Sequence, residues 1–364
     1  MGLGFYTYIS YRFVIFILGT TLFCWWQVYK KENLQKKFIY STCWLLFITF
    51  IVALPIGIYF LLNPNNFFGR AAGVSVFACP DPIYELGKSF LLHLQMFNFY
   101  GDGNWRHNWA GSPILFWPIG IFFLIGIIFF IKEAIISIKN KNYHLVTSSY
   151  TLLVWFGSML LPGALSSEGV PHALRVIGTI PVVYVFAGIG ASWLYKKLEK
   201  FYKAKNQKIV FGLIIFLLFF SITYAQFDKY FFQWAKKEEV KNAFSLNYVE
   251  IGRYLNSLPN NVRSYVIVNQ SGVPVPFPNG LPMPAQTPIF IERTVFSKPR
   301  ATYLKPEDLD ISYPLKMRGD EELVYIPLQY DKSLIKKLKE KIPNGILKKI
   351  NNFWIYEVRS PIVP

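Results

Sequence analysis

Six long apolar stretches constrain the fold of this chain more than any other feature of its sequence. Each is rich in Leu, Ile and Phe, and with modest extension at its ends each can cross a hydrocarbon layer of about 30 Å as a helix. The runs are continuous and do not alternate apolar with polar residues, which favours helices over the strands of a membrane barrel. We place them near 11–29, 38–62, 113–131, 145–161, 174–195 and 209–225.

Lysine-rich connecting segments indicate how the predicted helices are oriented. Thirteen lysines lie in the segments 30–37, 132–144 and 196–208, and clusters of this kind face the cytoplasm. By alternation, the opposite face holds the amino terminus, the segments 63–112 and 162–173, and everything after residue 226. We therefore expect a multi-pass protein of the cell membrane, a polytopic α-helical chain of about six transmembrane helices, with an extracytoplasmic carboxyl-terminal domain.

Composition excludes several classes of protein. The hydrophobic content of 53% and the charged content of 16% rule out a wholly soluble chain. The formal net charge of +17 is largely a signal of topology, so it gives no support for nucleic-acid binding. The three cysteines and four histidines show neither a disulfide framework nor the spacing of a metal site. The sequence therefore predicts no metal site and no cofactor, and leaves a divalent cation open.

The predicted orientation places the amino terminus outside, although the first residues carry neither the basic segment nor the cleavage site of a signal peptide. An outside start of this kind is unusual for an inner-membrane protein. We therefore expect the chain to begin inside a longer parent protein, at the external mouth of a helix. The alternative is a seventh membrane element that the hydropathy pattern does not reveal.

The residues after 226 are typical of a small aqueous domain. They hold 20 Lys and Arg against 14 Asp and Glu, and their apolar residues follow helical and strand periodicities. Alternating helices and strands favour an α/β fold, so a membrane domain at 1–225 is followed by an α/β domain at 226–364. The pattern predicts helices at 244–258 and 331–342, and strands at 263–269, 287–292, 322–329 and 351–358.

A proline-rich segment interrupts this second domain. Residues 272–288 contain six prolines and cannot form regular structure, so we expect a long loop there. This composition agrees both with a lid over the membrane part and with an ordinary surface loop.

Within the external segment 63–112, residues 80–99 predict a helix that lies in the plane of the membrane surface. Helical spacing puts five apolar side chains on one face, with charged and polar ones elsewhere. The alternative is a helix packed on the soluble domain. The predicted apolar face consists of Ile83, Leu86, Phe90, Leu94 and Phe97.

A cluster of polar side chains follows directly, in FYGDGNWRHNWAGSP at 99–113. Two glycines permit a tight turn, and a charged guanidinium fork beside an imidazole suits a phosphate ester at the membrane surface. In the alternative interpretation the two tryptophans anchor the membrane interface, and an Asp–Arg pair is structural. The polar members are Asp102, Asn104, Arg106, His107 and Asn108.

The second external connector, LPGALSSEGVPHALRVIGTIP at 161–181, returns further polar side chains to the same face. Arg175 falls at the start of an apolar helix, where a charge is costly and is usually paired or functional. The alternative is that its side chain extends to the lipid headgroups. Arg70 is a third basic candidate on this face, and Arg12 is better explained as a helix-end anchor. The other polar members are Ser166, Ser167, Glu168 and His172.

Four motifs occur along the chain in the order GLGFYTY, LPIGIYFLLNPNNFFGR, NFYGDGNWRHNWAGSPIL and LLPGALSSEGVPHALRVIGTIP. Together they resemble those of bacterial GT-C glycosyltransferases, polytopic enzymes related to protein mannosyltransferases and lipid A aminoarabinose transferases. The resemblance runs from about residue 2 to the end of the chain. It is strongest in GDGNWRHN and PHALR.

The resemblance implies a membrane transferase that takes a sugar from a polyprenyl phosphate and passes it, on the outer face, to a glycan, lipid or protein acceptor. It also implies a catalytic acidic residue in a first external loop. This chain departs from that pattern, since no acidic residue precedes Glu32 on the cytoplasmic side. The catalytic base is therefore expected outside this polypeptide, with Asp102 and Glu168 as the plausible substitutes. Of these, Asp102 is better suited to orient Arg106 or His107.

Transfer from a lipid phosphate needs a base and also cationic groups that stabilise the departing phosphate. We expect the polyprenyl-phosphate sugar and membrane lipid as partners. Two other classes stay open: a non-catalytic membrane partner of a cell-envelope assembly, and a transporter, for which charges near mid-membrane are not evident. The phosphate would be held by Arg70, Arg106, His107, His172 and Arg175.

Overall fold

The structure is a computed structural model that describes residues 1–140, 142–272, 280–310 and 322–358. The side chain of Arg70 lies outside the described part, as do those of Phe68, Ala71, Ala72 and Asp310. The chain divides into two compact units, Met1–Trp234 and Ala235–Pro364. The first unit extends past residue 225 because its last helix continues through a π-helical turn to Trp234.

Helices make up most of the first unit, and six of them confirm the six predicted apolar spans among the described residues. In α2, for example, no residue is buried although almost every residue is apolar. Helices that are apolar all round are typical of a membrane interior. The helices are α1 (Val14–Lys31), α2 (Gln35–Leu62), α3 (Pro64–Gly73), α4 (Pro82–Gln95), α5 (Trp117–Lys139), α6 (Tyr143–Ala164), α7 (Ile180–Glu199) and α8 (Lys205–Phe227). Helices α3 and α4, with 10 and 14 residues, are too short to be among the six spans.

Glycines allow α5 and α7 to approach each other closely. A Cβ atom built on Gly126 would lie 1.8 Å from the carbonyl oxygen of Phe186, and one built on Gly190 would lie 2.0 Å from that of Phe122. Without a hydrophobic driving force in lipid, membrane helices depend on such close backbone packing. Beside this contact, aromatic rings of α5, α6 and α7 pack together, among them Phe123, Phe156 and Phe186.

The predicted cytoplasmic and external segments lie at opposite ends of the helices. At one end, His144 Nε2 lies 3.2 Å from Glu32 Oε1, which joins two of the lysine-rich segments. At the other end, the backbone N–H of Ser167 donates to the carbonyl of Val74, at 2.8 Å, which joins the segments 63–112 and 162–173. This arrangement is the one that alternation of the spans requires.

Helix α4 exposes several apolar side chains and buries two polar ones. Ile83 is 86% exposed, whereas Ser89 and His93 are buried. A helix that exposes apolar residues and buries polar ones suits contact with lipid. The predicted apolar face is wrong at one position, because α4 ends at Gln95 and Phe97 turns into the aromatic core.

The second unit is a small α/β domain with a five-stranded sheet. The strand order is β2-β1-β3-β5-β4, in which β1, β2 and β3 are parallel and β4 and β5 form an antiparallel hairpin. At five of the six predicted segments the structure has the predicted type of element. The elements are α9 (Glu238–Ala243), α10 (Leu246–Ser257), β1 (Val262–Ile267), α11 (Gln286–Arg293), β2 (Thr302–Leu304), β3 (Glu322–Pro327), α12 (Lys332–Lys341), β4 (Gly345–Ile350) and β5 (Phe353–Val358).

The predicted strand at 287–292 is wrong, because these residues form helix α11. Ile289 and Glu292 are buried while Phe290 is exposed, a spacing that fits a helix face and not a strand. Buried Glu292 is satisfied by the backbone N–H groups of Arg300 and Ala301, each at 3.0 Å. The predicted long loop is also shorter than expected: residues 273–279 lie outside the described residues, but 3₁₀ and α-helix follow from Met283 onward.

Candidate functional site

The loop at 99–113 is held closed by its own backbone. The N–H of Gly111 donates to the carbonyl of Asp102 at 2.8 Å, and the N–H of Gly101 donates to the carbonyl of Gly111 at 3.1 Å. Two glycines are required for this closure. Gly111 has a φ of +75°, and a Cβ atom on Gly101 would lie 2.0 Å from the carbonyl oxygen of Ser112.

Asp102 joins this loop to the second external segment. One carboxylate oxygen accepts the backbone N–H of Asn104, in its own loop, at 2.7 Å. The other accepts the backbone N–H of Ala173, in the second segment, at 2.8 Å. Only 4% of the Asp102 side chain is exposed. Several donors satisfy this buried carboxylate and fix it in position.

His107 is the side-chain partner of Asp102. Its Nδ1 lies 2.6 Å from Asp102 Oδ2, and 11% of its side chain is exposed. Because a carboxylate accepts hydrogen bonds, Nδ1 is the nitrogen that donates, which leaves Nε2 as the ring nitrogen that can accept a proton. The ring of His107 also packs against that of His172, with centroids 4.7 Å apart.

A third histidine, His93 of α4, supports the second segment from beneath. Its Nδ1 donates to the carbonyl of Ser89 at 2.7 Å, and its Nε2 accepts the backbone N–H of His172 at 3.1 Å. One nitrogen donates and the other accepts, so the ring is neutral. Burial is the main cause that lowers the pKa of His93.

His172 is also held in its neutral form. Burial, followed by the positive charge of Arg175, lowers the pKa of His172 to about 4. Its Nδ1 atom is buried and has no hydrogen-bond partner among the described residues. The three histidines of this end therefore differ: His93 is engaged at both nitrogens, His172 is half-buried and neutral, and His107 is oriented by a carboxylate.

Arg175 is paired within the second segment. Its guanidinium donates to Glu168 Oε2 at 3.1 Å, to the carbonyl of Glu168 at 2.5 Å and to the hydroxyl of Ser166. Its own carbonyl accepts from Ser10 Oγ at 3.0 Å. These contacts offset the free-energy cost of placing a charged arginine at the start of an apolar helix. Glu168 is largely exposed and serves as the ionic partner of Arg175.

A pocket of about 360 Å³ opens beside the Asp102–His107 pair. Its polar end is formed by Arg106, His107 and Asn108, and the rest is apolar. Several wall residues are strongly exposed, including Ile177 and Tyr184, so the pocket is open on one side. The apolar wall consists of Phe97, Ile114, Leu115, Ala173, Leu174, Val176, Ile177, Ile180, Val183 and Tyr184, with Thr179 between them.

The structure brings together part of the predicted site. Asp102, His107 and His172 are in one cluster, and Arg106 lies beside it in the pocket. Arg175 and Glu168 pair with each other and do not line the pocket. Arg70 lies outside the residues whose side chains are described. The residue that sequence reasoning missed is His93, for which the one available signal is a histidine four residues after Ser89 on the polar face of an apolar helix.

The cluster is better suited to hydrogen bonding than to metal coordination. Asp102, His107 and His172 each offer a ligand atom, and these atoms lie within 4.8 Å of one another. Asp102, however, is already occupied by three donors, two of them backbone groups that cannot leave without opening the loops.

Comparisons with known proteins add nothing to this geometry: no protein-family model, no curated protein and no solved structure matches the chain. The function is therefore inferred from the site itself, together with the motifs of the two external segments.

Proposed function

We propose that this chain is a membrane glycosyltransferase that takes a sugar from a polyprenyl phosphate and passes it to an acceptor outside the cytoplasm. The pocket is the observation that carries this proposal. It combines one cationic, hydrogen-bonding end with a long apolar wall, as an anionic lipid requires. The resemblance to GT-C glycosyltransferases supplies the reaction class.

The polar end of the pocket suits the phosphate group. Arg106 presents a permanently charged guanidinium, which can bind phosphate oxygens in pairs. Asn108 lies next to it, with its amide donating to the carbonyls of Ser112 and Pro113 at 3.3 Å, so its position is fixed by the loop. When the sugar leaves, negative charge develops on the phosphate, and fixed cationic donors stabilise that charge.

The apolar wall suits an isoprenoid chain. Leu174, Ile177 and Ile180 project from the 3₁₀ turn Ala173–Thr179 and the start of α7, and all three are exposed. Their exposed side chains can pack against an isoprenoid chain through van der Waals contact.

Position supports transfer outside the cytoplasm. The pocket lies at the end of the helices opposite the lysine-rich segments, and the positive-inside rule places that end outside. The acceptor, whether glycan, lipid or protein, would then reach the sugar from the external side. In this proposal the carboxyl-terminal α/β unit is extracytoplasmic as well.

The test of phosphate binding uses the full chain in lipid nanodiscs with fluorescent polyprenyl phosphate. We expect Arg106→Ala to weaken binding about tenfold to hundredfold, since a charge-assisted hydrogen bond contributes about 1.5–3 kcal/mol. Lys88→Ala is the matched control, because Lys88 is a cation of the same external segment that lies in α4 and pairs with Glu85 at 3.5 Å. Equal binding by the two variants would remove Arg106 from the site.

The test of transfer separates an enzyme from a non-catalytic partner. The purified chain is supplied with a radiolabelled polyprenyl-phosphate sugar and a membrane extract that contains acceptors. We expect label to leave the donor and to enter acceptor material. If donor binds with the Arg106 dependence described above but no label moves, the chain is a lipid-phosphate-binding partner and the catalytic assignment fails.

A further inference from the structure

We infer that His107, oriented by Asp102, is the base that accepts the proton of the acceptor hydroxyl. This inference rests on the proposed function and names the reacting group within it. It also differs from the expectation drawn from the resemblance, in which the base lies outside this polypeptide. Three features of the described residues support it: the way Asp102 is held, the tautomer of His107, and the position of His107 in the pocket.

Asp102 is held as a positioning residue requires. Backbone N–H groups of Asn104 and Ala173 fix its two oxygens from two separate segments. With both oxygens fixed, the remaining strong interaction is the 2.6 Å hydrogen bond to His107 Nδ1. A carboxylate in this arrangement sets the tautomer and angle of an imidazole and stabilises the imidazolium that forms when it takes a proton.

The pocket gives His107 access to a substrate. His107 lines the polar end beside Arg106, so the phosphate that Arg106 binds would place the linked sugar near the ring. Since Nδ1 is committed to Asp102, the lone pair that can accept a proton is on Nε2. A general base has to lie within hydrogen-bond reach of the proton it removes, and a hydroxyl entering the pocket can meet this condition.

Several charged and titratable groups surround His107. His172, with a pKa of about 4, and doubly engaged His93 are uncharged near pH 7. Arg175 is paired with Glu168, and Arg106 is the cation that faces the phosphate. Among the described residues, the negative group in contact with the ring is Asp102, whose carboxylate stabilises the imidazolium that forms when the ring takes a proton.

The step balances without any further reactant. The acceptor O–H proton passes to His107 Nε2 while the acceptor oxygen forms a bond to the anomeric carbon of the sugar. The bond from that carbon to the phosphate oxygen breaks, and its electron pair stays on the phosphate beside Arg106. The imidazolium, paired with Asp102, then loses its proton to water. Glu168 is a weaker candidate for this role, since it is 61% exposed and is bound to Arg175.

Turnover of the full chain in nanodiscs is the first readout. We expect His107→Gln to lower kcat about 100-fold to 10,000-fold, the range for loss of a general base, with KM for the donor changed less than about threefold. Asp102→Asn is expected to lower kcat as well, because it no longer holds the required tautomer. Residual activity of either variant should lose the acidic limb of the pH profile. His144→Gln is the control, since His144 lies at the opposite end of the helices.

Chemical modification is a second readout that needs no turnover. Diethyl pyrocarbonate modifies unprotonated imidazole nitrogens, and mass spectrometry locates the product. We expect His107 to react, bound polyprenyl phosphate to protect it, and Asp102→Asn to slow the reaction at least tenfold. If the wild-type chain shows no transferase activity, the proposed function is refuted. The modification experiment would still test whether Asp102 orients His107. Wild-type kcat in His107→Gln, or equal His107 reactivity in wild type and Asp102→Asn, would overturn the inference.

Discussion

Single side chains at the site are held mainly by backbone groups of another segment. Asp102 binds the N–H of Ala173, and His93 binds that of His172. The second external segment is thus fixed to the first through two side chains. Because both are buried and polar, the loss of either would leave unsatisfied groups, each at a cost of about 1–3 kcal/mol.

Protonation of His172 should make stability depend on pH. Its folded-state pKa of about 4 lies below its ordinary value of 6.5. The unfolded chain therefore binds more protons between these values, and stability falls as pH decreases from 6.5 towards 4. We expect the unfolding midpoint of wild type to drop more between pH 7.5 and pH 5 than that of His172→Gln.

Thermal unfolding in nanodiscs at the two pH values measures this difference. His144→Gln serves as the control, because His144 is exposed and lies at the other end of the helices. It should keep the full wild-type pH dependence. The same decrease in wild type and His172→Gln would show that His172 does not contribute.

Part of this site follows from the sequence at the level of residues. The types and spacing of Asp102, Arg106 and His107 identify the loop at 99–113 as a candidate site. Charged side chains next to a membrane carry a free-energy cost and are usually paired or functional. Which partner Asp102 takes is decided by tertiary structure, since Arg106 and His107 are both within reach along the chain. The pairing of Arg175 with Glu168 and the role of His93 likewise depend on segments that meet only in the fold.

At the scale of elements, hydropathy is the most reliable guide. The six spans follow from a length requirement that no local preference overrides. The type of a short element is predicted less reliably, because a six-residue apolar run fits either a strand or a helix. Residues 286–293 form the helix α11 because their buried side chains face α10 with helical spacing. Strand β4 is missed for another reason. Its two lysines interrupt the alternation of apolar and polar residues that indicates a strand, and lysines are common on the outermost strand of a sheet.

The close contact of α5 and α7 gives a prediction with a control in the same helix. Gly190→Ala should destabilise the protein by about 1–3 kcal/mol, since the added methyl group would overlap the carbonyl of Phe122. Gly188→Ala should be neutral or slightly stabilising, because a Cβ atom there meets nothing within 4 Å and alanine favours a helix. Thermal unfolding in detergent measures both variants. Equal midpoints would show that α5 and α7 are not packed as described.

At the scale of the whole molecule, the second unit has a complete core of its own. Helices α10 and α11 cover one face of its sheet, through residues such as Ile251 and Ile289. Helix α12 covers the other face with Leu334 and Leu338. A sheet buried on both faces is the usual basis of an independent α/β domain.

We therefore expect residues 235–364 to fold when expressed alone. The fragment should be soluble and monomeric, and it should unfold cooperatively in urea. Val266→Asp, which places a charge in the fully buried centre of β1, should abolish that transition, whereas Lys337→Asp on the surface of α12 should not. Aggregation of the wild-type fragment, or a gradual transition, would show that this unit depends on the membrane part.

Under the proposed function, the open side of the pocket has a consequence for the route by which a lipid-linked donor arrives. With Ile177 and Tyr184 exposed along its wall, a long-chain donor could slide in sideways from the surrounding leaflet without ever dissolving in water. Encounter would then be governed by two-dimensional diffusion and by mole fraction in the bilayer, not by bulk molarity. Truncated, water-soluble donors would be poor substrates. Detergent tails would compete with the donor for the same pocket.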